Sequence, residues 1–168
     1  MYYTSIYHSP IGQLTLLSDS THLLGLWIEG QKHFNAKLID GSIHDDTLPL
    51  WKEVQSWLDR YYAGEAPTPD QLPLKPTGTE FQQKVWEILA EIPYGTTVSY
   101  AQLAKEIAVS MGKSRMSAQA VGNAVGRNPI SIIIPCHRVI GSNGALTGYN
   151  GGIELKKWLL RHEGHKIP

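Results

Sequence analysis

The chain has 168 residues, enough for one large or two small domains with a real core, and its 42% hydrophobic and 18% charged residues exclude a disordered polymer. No window approaches twenty apolar residues, and Met1-Tyr2-Tyr3-Thr4-Ser5-Ile6 lacks the basic stretch and apolar run of a secretion signal, so a cytoplasmic protein without membrane association is expected. The formal charge of zero hides a split: residues 1–76 carry a net −4 and residues 77–168 a net +4, and a basic half suits a polyanionic partner. A single cysteine excludes an internal disulfide and a thiolate zinc site, so neither metal nor cofactor is expected.

Short β-type runs come first: Tyr2–His8, Gln13–Ser18 and Leu23–Glu29, separated by the turn material Pro10-Ile11-Gly12 and Asp19-Ser20-Thr21. Residues 50–62 then take helical spacing, with Trp51, Val54, Leu58 and Tyr61 on one face and Gly64 as a stop. His8, His22, His33 and His44 are scattered and converge on nothing. Four prolines within Gly64–Pro76 forbid helix or central strand, which makes this segment a linker and the boundary between domains 1–76 and 77–168. Because the chain begins directly on strand-like sequence, a larger polypeptide with a transcriptional role is not expected.

Beyond the linker the pattern turns helical. Thr79-Glu80-Phe81-Gln82 reads as a capping box ahead of a helix with Phe81, Val85, Ile88 and Leu89 inward, ended by Pro93-Tyr94-Gly95. Ser99-Tyr100-Ala101-Gln102 is a second box, opening a helix that buries Leu103 and Ile107. A basic loop with Lys113 and Arg115 follows, and Ser117 caps a third helix from Ala118 to about Arg127, small-faced through Ala118, Ala120, Gly122 and Ala124. The pair resembles a helix-turn-helix with an unusually long turn. Ile130–Ile134 is a β-branched run expected to be a buried strand, and Asn143-Gly144 within 139–146 signals a hairpin that would form a wing. A last helix, Ile153 to His162, is expected to bury Leu155, Trp158 and Leu159. The fold class is therefore α+β: a small strand-rich α/β domain followed by a winged helix-turn-helix domain.

The chemistry centres on Pro135-Cys136-His137-Arg138. A thiol reacts as thiolate, and an ordinary cysteine is mostly protonated at neutral pH, so a base or a cation must lie close. His137 is adjacent and Arg138 adds positive potential. On an extended backbone neighbours point apart, so Cys136 and His137 would communicate through a water. A histidine base also wants a carboxylate on its other nitrogen; of Glu154 and Glu163, the latter closes the last helix and is the better placed.

Ile134-Pro135-Cys136-His137-Arg138-Val139-Ile140 resembles the active-site motif of the O6-alkylguanine-DNA alkyltransferases. The flanks are similar too: Pro93–Tyr100, Gly126-Arg127-Asn128-Pro129, Tyr149-Asn150-Gly151-Gly152 and Lys157–Gly164, in order from about Thr79 to Gly164. The resemblance implies that the chain, as a monomer, binds double-stranded DNA from the minor groove and flips O6-alkylguanine out of the stack, and it leaves open whether O4-alkylthymine is also accepted. Cys136 would take the alkyl group as a stable thioether, once per molecule and without a cofactor. His137 would deprotonate it through water, with Glu163 orienting the ring, and Tyr100 would donate to guanine N3. Asn128 would fix the loop geometry, while backbone groups of Val139, Tyr149 and Asn150 would hold the base edge.

One position departs from the pattern. Where many relatives place an arginine that enters the duplex, this sequence has Gln119, between Ala118 and Ala120 and one turn before Gly122. Glutamine brings no charge, so Arg115 or Arg127 would supply phosphate contacts. Three rival readings are a non-catalytic relative that flags alkylated DNA, a winged-helix regulator and a cysteine hydrolase. The first lacks the reactive cysteine, the second would not need Tyr100, Asn128 and Glu163 together, and the third requires turnover.

Overall fold

Alternating apolar positions bring the first three strands together. In the computed structural model, which describes residues 1–31, 36–146 and 148–167, β1 (Tyr3–Ser9), β2 (Gly12–Ser18) and β3 (Leu23–Ile28) form an antiparallel meander, and β4 (Ile43–His44) pairs in parallel with β1. The register sets Tyr7 against Leu14 and Leu16 against Leu26, and the sheet order is β3-β2-β1-β4. All six residues of β3 are buried, as a strand covered on both faces requires. His33 lies outside the described residues.

After the short α1 (Ala36–Asp40), the long α2 (Pro49–Tyr62) carries proline in its first turn, where the missing N–H has no helical acceptor to lose. Trp51, Val54, Leu58 and Tyr61 are buried as their spacing predicts, joined by Leu50 and Trp57. The Trp57 indole donates to the Thr68 carbonyl at 2.8 Å, tying the proline-rich segment to this helix. That segment is no free linker. Leu23 donates to the Pro73 carbonyl at 2.8 Å and Lys75 to the Leu23 carbonyl at 2.9 Å, an edge pairing that proline tolerates. Pro129–Ser131 groups with the same unit, through Leu26 N–H to the Pro129 carbonyl and Ser131 N–H to the Leu26 carbonyl, and covers the next stretch of that edge.

The second unit comprises Gly78–Asn128 and the chain from Ile132 onward. Both predicted capping boxes are formed: Thr79 with Gln82 ahead of α3 (Glu80–Ala90), and Ser99 with Gln102 ahead of α4 (Tyr100–Ser110). Ser117 caps α5 (Ala118–Gly126) by accepting from the Ala120 N–H at 3.2 Å. The Trp86 indole donates to the Ala124 carbonyl at 2.9 Å and locks α3 to α5. β5 (Val98–Ser99) and β6 (Val139–Ile140) pair in parallel, and α6 (Ile153–His162) closes the chain. The architecture is α+β, with the sheet N-terminal and the helices C-terminal.

Three expectations change. Ile130–Ile134 is buried throughout but is a turn rather than a strand, with one bridge from Ile130 to Leu26; Ile132 has φ +71°. The expected hairpin over 139–146 has no second strand: β6 pairs with β5, and a tight loop closes through Gly141 N–H to the Ala145 carbonyl at 2.8 Å. In α6 the buried positions are Lys156, Leu159 and Leu160, while Leu155 and Trp158 are half-buried. No helix among the described residues is long and apolar enough to cross a membrane.

Candidate active site

Cys136 opens a 3-10 turn, Cys136–Arg138, and not the end of a strand. Pro135 precedes it, and the turn is held by Cys136 N–H to the Ile134 carbonyl at 2.8 Å and Arg138 N–H to the Pro135 carbonyl at 3.0 Å. Asn128, buried after α5, donates its side-chain amide to the same Ile134 carbonyl at 2.8 Å. The left-handed backbone at Ile132 lies inside the segment these bonds enclose. A β-branched residue there costs on the order of 1–3 kcal/mol, a strain that persists only where the surroundings over-determine it.

The thiol is 4% exposed. Burial pushes its pKa up, and the Asn128 hydrogen bond and the Lys156 charge pull the other way. An isolated buried cysteine would be inert; this one has groups around it that favour the anion.

His137 is wholly buried, with Nε2 2.6 Å from Glu163 Oε2. Burial drives the imidazole pKa down, and Glu163 only partly offsets this, so the ring is neutral at physiological pH. With Glu163 accepting at Nε2, the neutral ring carries its proton there and presents Nδ1 as a lone pair. Nδ1 is buried and meets no protein partner among the described residues. That is the protonation state a general base needs.

Glu163 caps the C-terminus of α6, where the preceding turns aim its carboxylate back at the 3-10 turn. Arg138 grips it twice, Nε to Oε1 at 2.7 Å and Nη2 to Oε2 at 3.1 Å, and sends Nη1 to the Ile92 carbonyl at 2.5 Å. Burial opposes ionisation of Glu163, but His137 and Arg138 together hold its carboxyl well below the usual carboxylate range. The Arg138 charge is thus matched by Glu163, a role the sequence did not disclose.

A second buried cation escaped sequence reading altogether. Lys156 is fully buried in the first turns of α6 and donates Nζ to the Val139 carbonyl at 2.6 Å. Burial pushes its pKa down to about 8. The signal was present only as a lysine one residue out of phase with the predicted apolar face.

Tyr100 starts α4, is half-buried, and has its phenol pKa raised by burial and by the electrostatic proximity of Cys136. Gly148, at φ +63°, lies beside it: a Cβ there would stand 3.7 Å from the Tyr100 hydroxyl. A Cβ on Gly122 would lie 4.0 Å from the Tyr100 ring. Tyr149 meets His137 edge-on, ring centroids 6.4 Å apart, and the Asn150 side chain donates to the Gly126 carbonyl. Ala118, Gln119, Arg115 and Arg127 are exposed on α5 and its flanks. Beside them Lys105, Lys113 and Arg115 border a groove of about 570 Å³ floored by Ala104, Ala108 and Met116. The predicted residues thus fall into two sets, one around the thiol and one on an exposed helix face. No group of three or more His, Cys, Asp or Glu among the described residues is arranged to hold a metal.

A buried thiol backed by a histidine–glutamate–arginine chain, on a domain that also presents a capped two-helix face, defines a cysteine nucleophile joined to a helix-turn-helix type of surface. Residues 80–165 match the model of the 6-O-methylguanine DNA methyltransferase DNA binding domain, and residues 1–76 match that of the same enzymes' ribonuclease-like domain. The chain belongs to the 6-O-methylguanine DNA methyltransferase family. It is 43% identical to the methylated-DNA–protein-cysteine methyltransferase of Haemophilus influenzae, covering 100% of this chain and 88% of that one. With the protein of the same name from Methanosarcina acetivorans it shares 44% identity over 98% of this chain and 99% of the other. Among solved structures, the O6-methylguanine methyltransferase of Mycobacterium tuberculosis superposes with a TM-score of 0.84 at 40% identity, covering 100% of this chain and 96% of that one. The crystal structure of the Mycobacterium tuberculosis OGT in complex with DNA gives 0.81 at 41% identity, over 96% and 91%.

Proposed function

We propose that this chain repairs DNA by moving an alkyl group from guanine O6 to Cys136 in a single, irreversible step. The observation that carries the reading is the His137–Glu163 contact at 2.6 Å, made from the same 3-10 turn that carries the thiol. The thiol proton passes through a water to Nδ1 of His137. The Cys136 sulfur attacks the alkyl carbon, an S–C bond forms, and the C–O6 bond breaks with its electron pair going to the purine. The proton lost by the thiol and the proton gained by guanine balance, so the base leaves neutral. Tyr100 donates its hydroxyl to N3 and offsets the charge developing on the ring. Glu163 and Arg138 orient His137, and Asn128 holds the turn that aims the sulfur. Val139, Tyr149 and Asn150 offer backbone groups to the base edge.

The DNA partner is supported by family membership and by the DNA complex of the Mycobacterium tuberculosis protein. We assign the contact to α4 and α5 entering the minor groove, with the lesion flipped out, Gln119 in the vacated space, Ala118 and Gly122 against the backbone, and Arg115 and Arg127 on phosphates. In this reading residues 77–168 carry both binding and chemistry, and the protein acts as a monomer in the cytoplasm. The test is intact mass after incubation with a duplex containing O6-methylguanine. A gain of one methylene, on Cys136 alone and capped at one equivalent, supports the reading. No gain leaves a DNA-binding protein, and repeated turnover points to a hydrolase.

A further inference from the structure

The last turn of α5 leaves carbonyls without a partner inside the helix. Two of them accept from side chains elsewhere in the chain. Ala124 accepts from the Trp86 indole on α3 at 2.9 Å, and Gly126, the final helical residue, accepts from the side-chain amide of Asn150. Asn150 lies in the loop 148–152 between β6 and α6, twenty-four positions further along the chain. That loop has glycine in the left-handed region at both ends, Gly148 at φ +63° and Gly152 at φ +95°, so its backbone has little preference of its own for one course. Side chains set the course instead. Tyr149 is 8% exposed and meets His137 edge-on, and the Gly152 N–H closes a turn across Asn150 onto the Tyr149 carbonyl at 3.0 Å.

We infer that the Asn150 side chain is a positioning residue for alkyl transfer: by gripping the Gly126 carbonyl it ties the loop that holds the base edge to the end of the DNA-docking helix. The inference rests on the flipped-base reading above and adds what keeps the pocket wall in register with the duplex. Asn128, two residues beyond Gly126, sends its own amide to the Ile134 carbonyl and so holds the cysteine turn. The end of α5 is therefore a junction. One amide sets the sulfur, and the other sets the backbone groups around Asn150. With both in place, a base delivered by α5 meets its acceptor and its edge contacts at one fixed spacing. The Asn150 amide acts through the loop and not on the reacting atoms. Its partner Gly126 stands at the opposite end of α5 from Ala118 and Gln119, so its loss leaves the start of the helix unaltered.

Single-turnover transfer from an O6-methylguanine duplex, followed across duplex concentrations, separates the maximal rate from the half-saturating concentration. Asn150→Ala removes the tie, and Asn150→Asp keeps the shape while replacing the donor with an acceptor. In both, the maximal rate is expected to fall by about ten- to a hundred-fold, since a misplacement of about 1 Å in a reacting geometry costs up to about a hundred-fold. For Asn150→Ala the half-saturating concentration is expected to keep its wild-type value. Because Cys136 is the sole cysteine, thiolate absorbance at 240 nm reports it alone, and it should titrate as in the wild type. A wild-type maximal rate in folded Asn150→Ala overturns the inference. So does a slowed rate accompanied by a raised thiol pKa, which would place the effect at the cysteine turn. Should Asn150→Ala fail to fold, Asn150→Asp decides alone at saturating duplex: a reduced rate supports the inference, and a wild-type rate overturns it. Failure of the repair reading would appear separately, as no mass gain on the wild-type protein.

Discussion

Glu163 and His137, twenty-six positions apart in the chain, meet at 2.6 Å with both side chains wholly shielded from solvent. The contact fixes the tautomer of the ring and leaves its other nitrogen to receive a proton. Glu163→Gln keeps the shape but removes the charge that Arg138 and His137 share. Alkyl transfer is expected to fall by about ten- to a hundred-fold, the usual effect of losing a residue that orients a functional group. Single-turnover kinetics on an O6-methylguanine duplex measure this, and an unchanged rate would remove Glu163 from the mechanism.

The same pair makes the fold sensitive to acid. Glu163 has a folded pKa below its unfolded value, so its contribution is complete above about pH 4.3 and lost as pH falls below that. His137 is also depressed, so the unfolded chain binds its proton first and stability drops as pH falls below about 6.5. Both shifts act in the same sense. Urea unfolding from pH 7.5 to 3.5 should show midpoints falling in two stages, and Glu163→Gln should flatten the lower one.

Asn128 is nearly as buried as the histidine, and its amide ties the end of α5 to the Ile134 carbonyl at 2.8 Å. Asn128→Ala leaves that carbonyl without this donor and removes a hydrogen bond that favours the thiolate. The expected loss is about 1–3 kcal/mol of stability together with a raised thiol pKa. Denaturant titration and absorbance at 240 nm read the two effects separately. A loss of stability with an unmoved thiol would reduce Asn128 to a purely structural part.

On the exposed helix face the expectations are electrostatic. Gln119→Arg adds a charge where glutamine has none, so duplex binding should tighten more at low salt than at high salt. Fluorescence anisotropy at two ionic strengths checks it, and a salt-independent change would argue against contact with the DNA backbone. At the other end of the site, Tyr100→Phe should slow transfer without weakening duplex binding, since only the hydroxyl donor is lost.

Much of this was legible in the sequence because local rules and tertiary demands agree. The two capping boxes, the Ser117 cap and the apolar face of α2 are short-range signals, and each appears in the structure where its residues placed it. Glu163 was reachable as well, because a carboxylate at a helix end has few directions in which to point. The misses are all non-local. Ile130–Ile134 has the composition of a strand, but hydrogen bonds to Leu26 at one end and to Asn128 at the other bend it into a turn with Ile132 left-handed. The second hairpin strand gave way because Val139 and Ile140 pair with Val98 and Ser99 instead. Lys156 drew no attention in the sequence, since lysine is almost never fully buried without a specific reason. Its reason is the Val139 carbonyl, which no helical periodicity could announce.

The burial of Lys156 also leaves a mark on the molecule once it has reacted. Part of what holds its proton is the neighbouring thiol, which becomes an anion as pH rises. A thioether carries no charge at any pH. After transfer the ammonium therefore sits in the same apolar surroundings with that attraction gone, and its pKa must fall below about 8. The used protein therefore keeps, in the lowered basicity of one buried amine, a lasting chemical memory of the lesion.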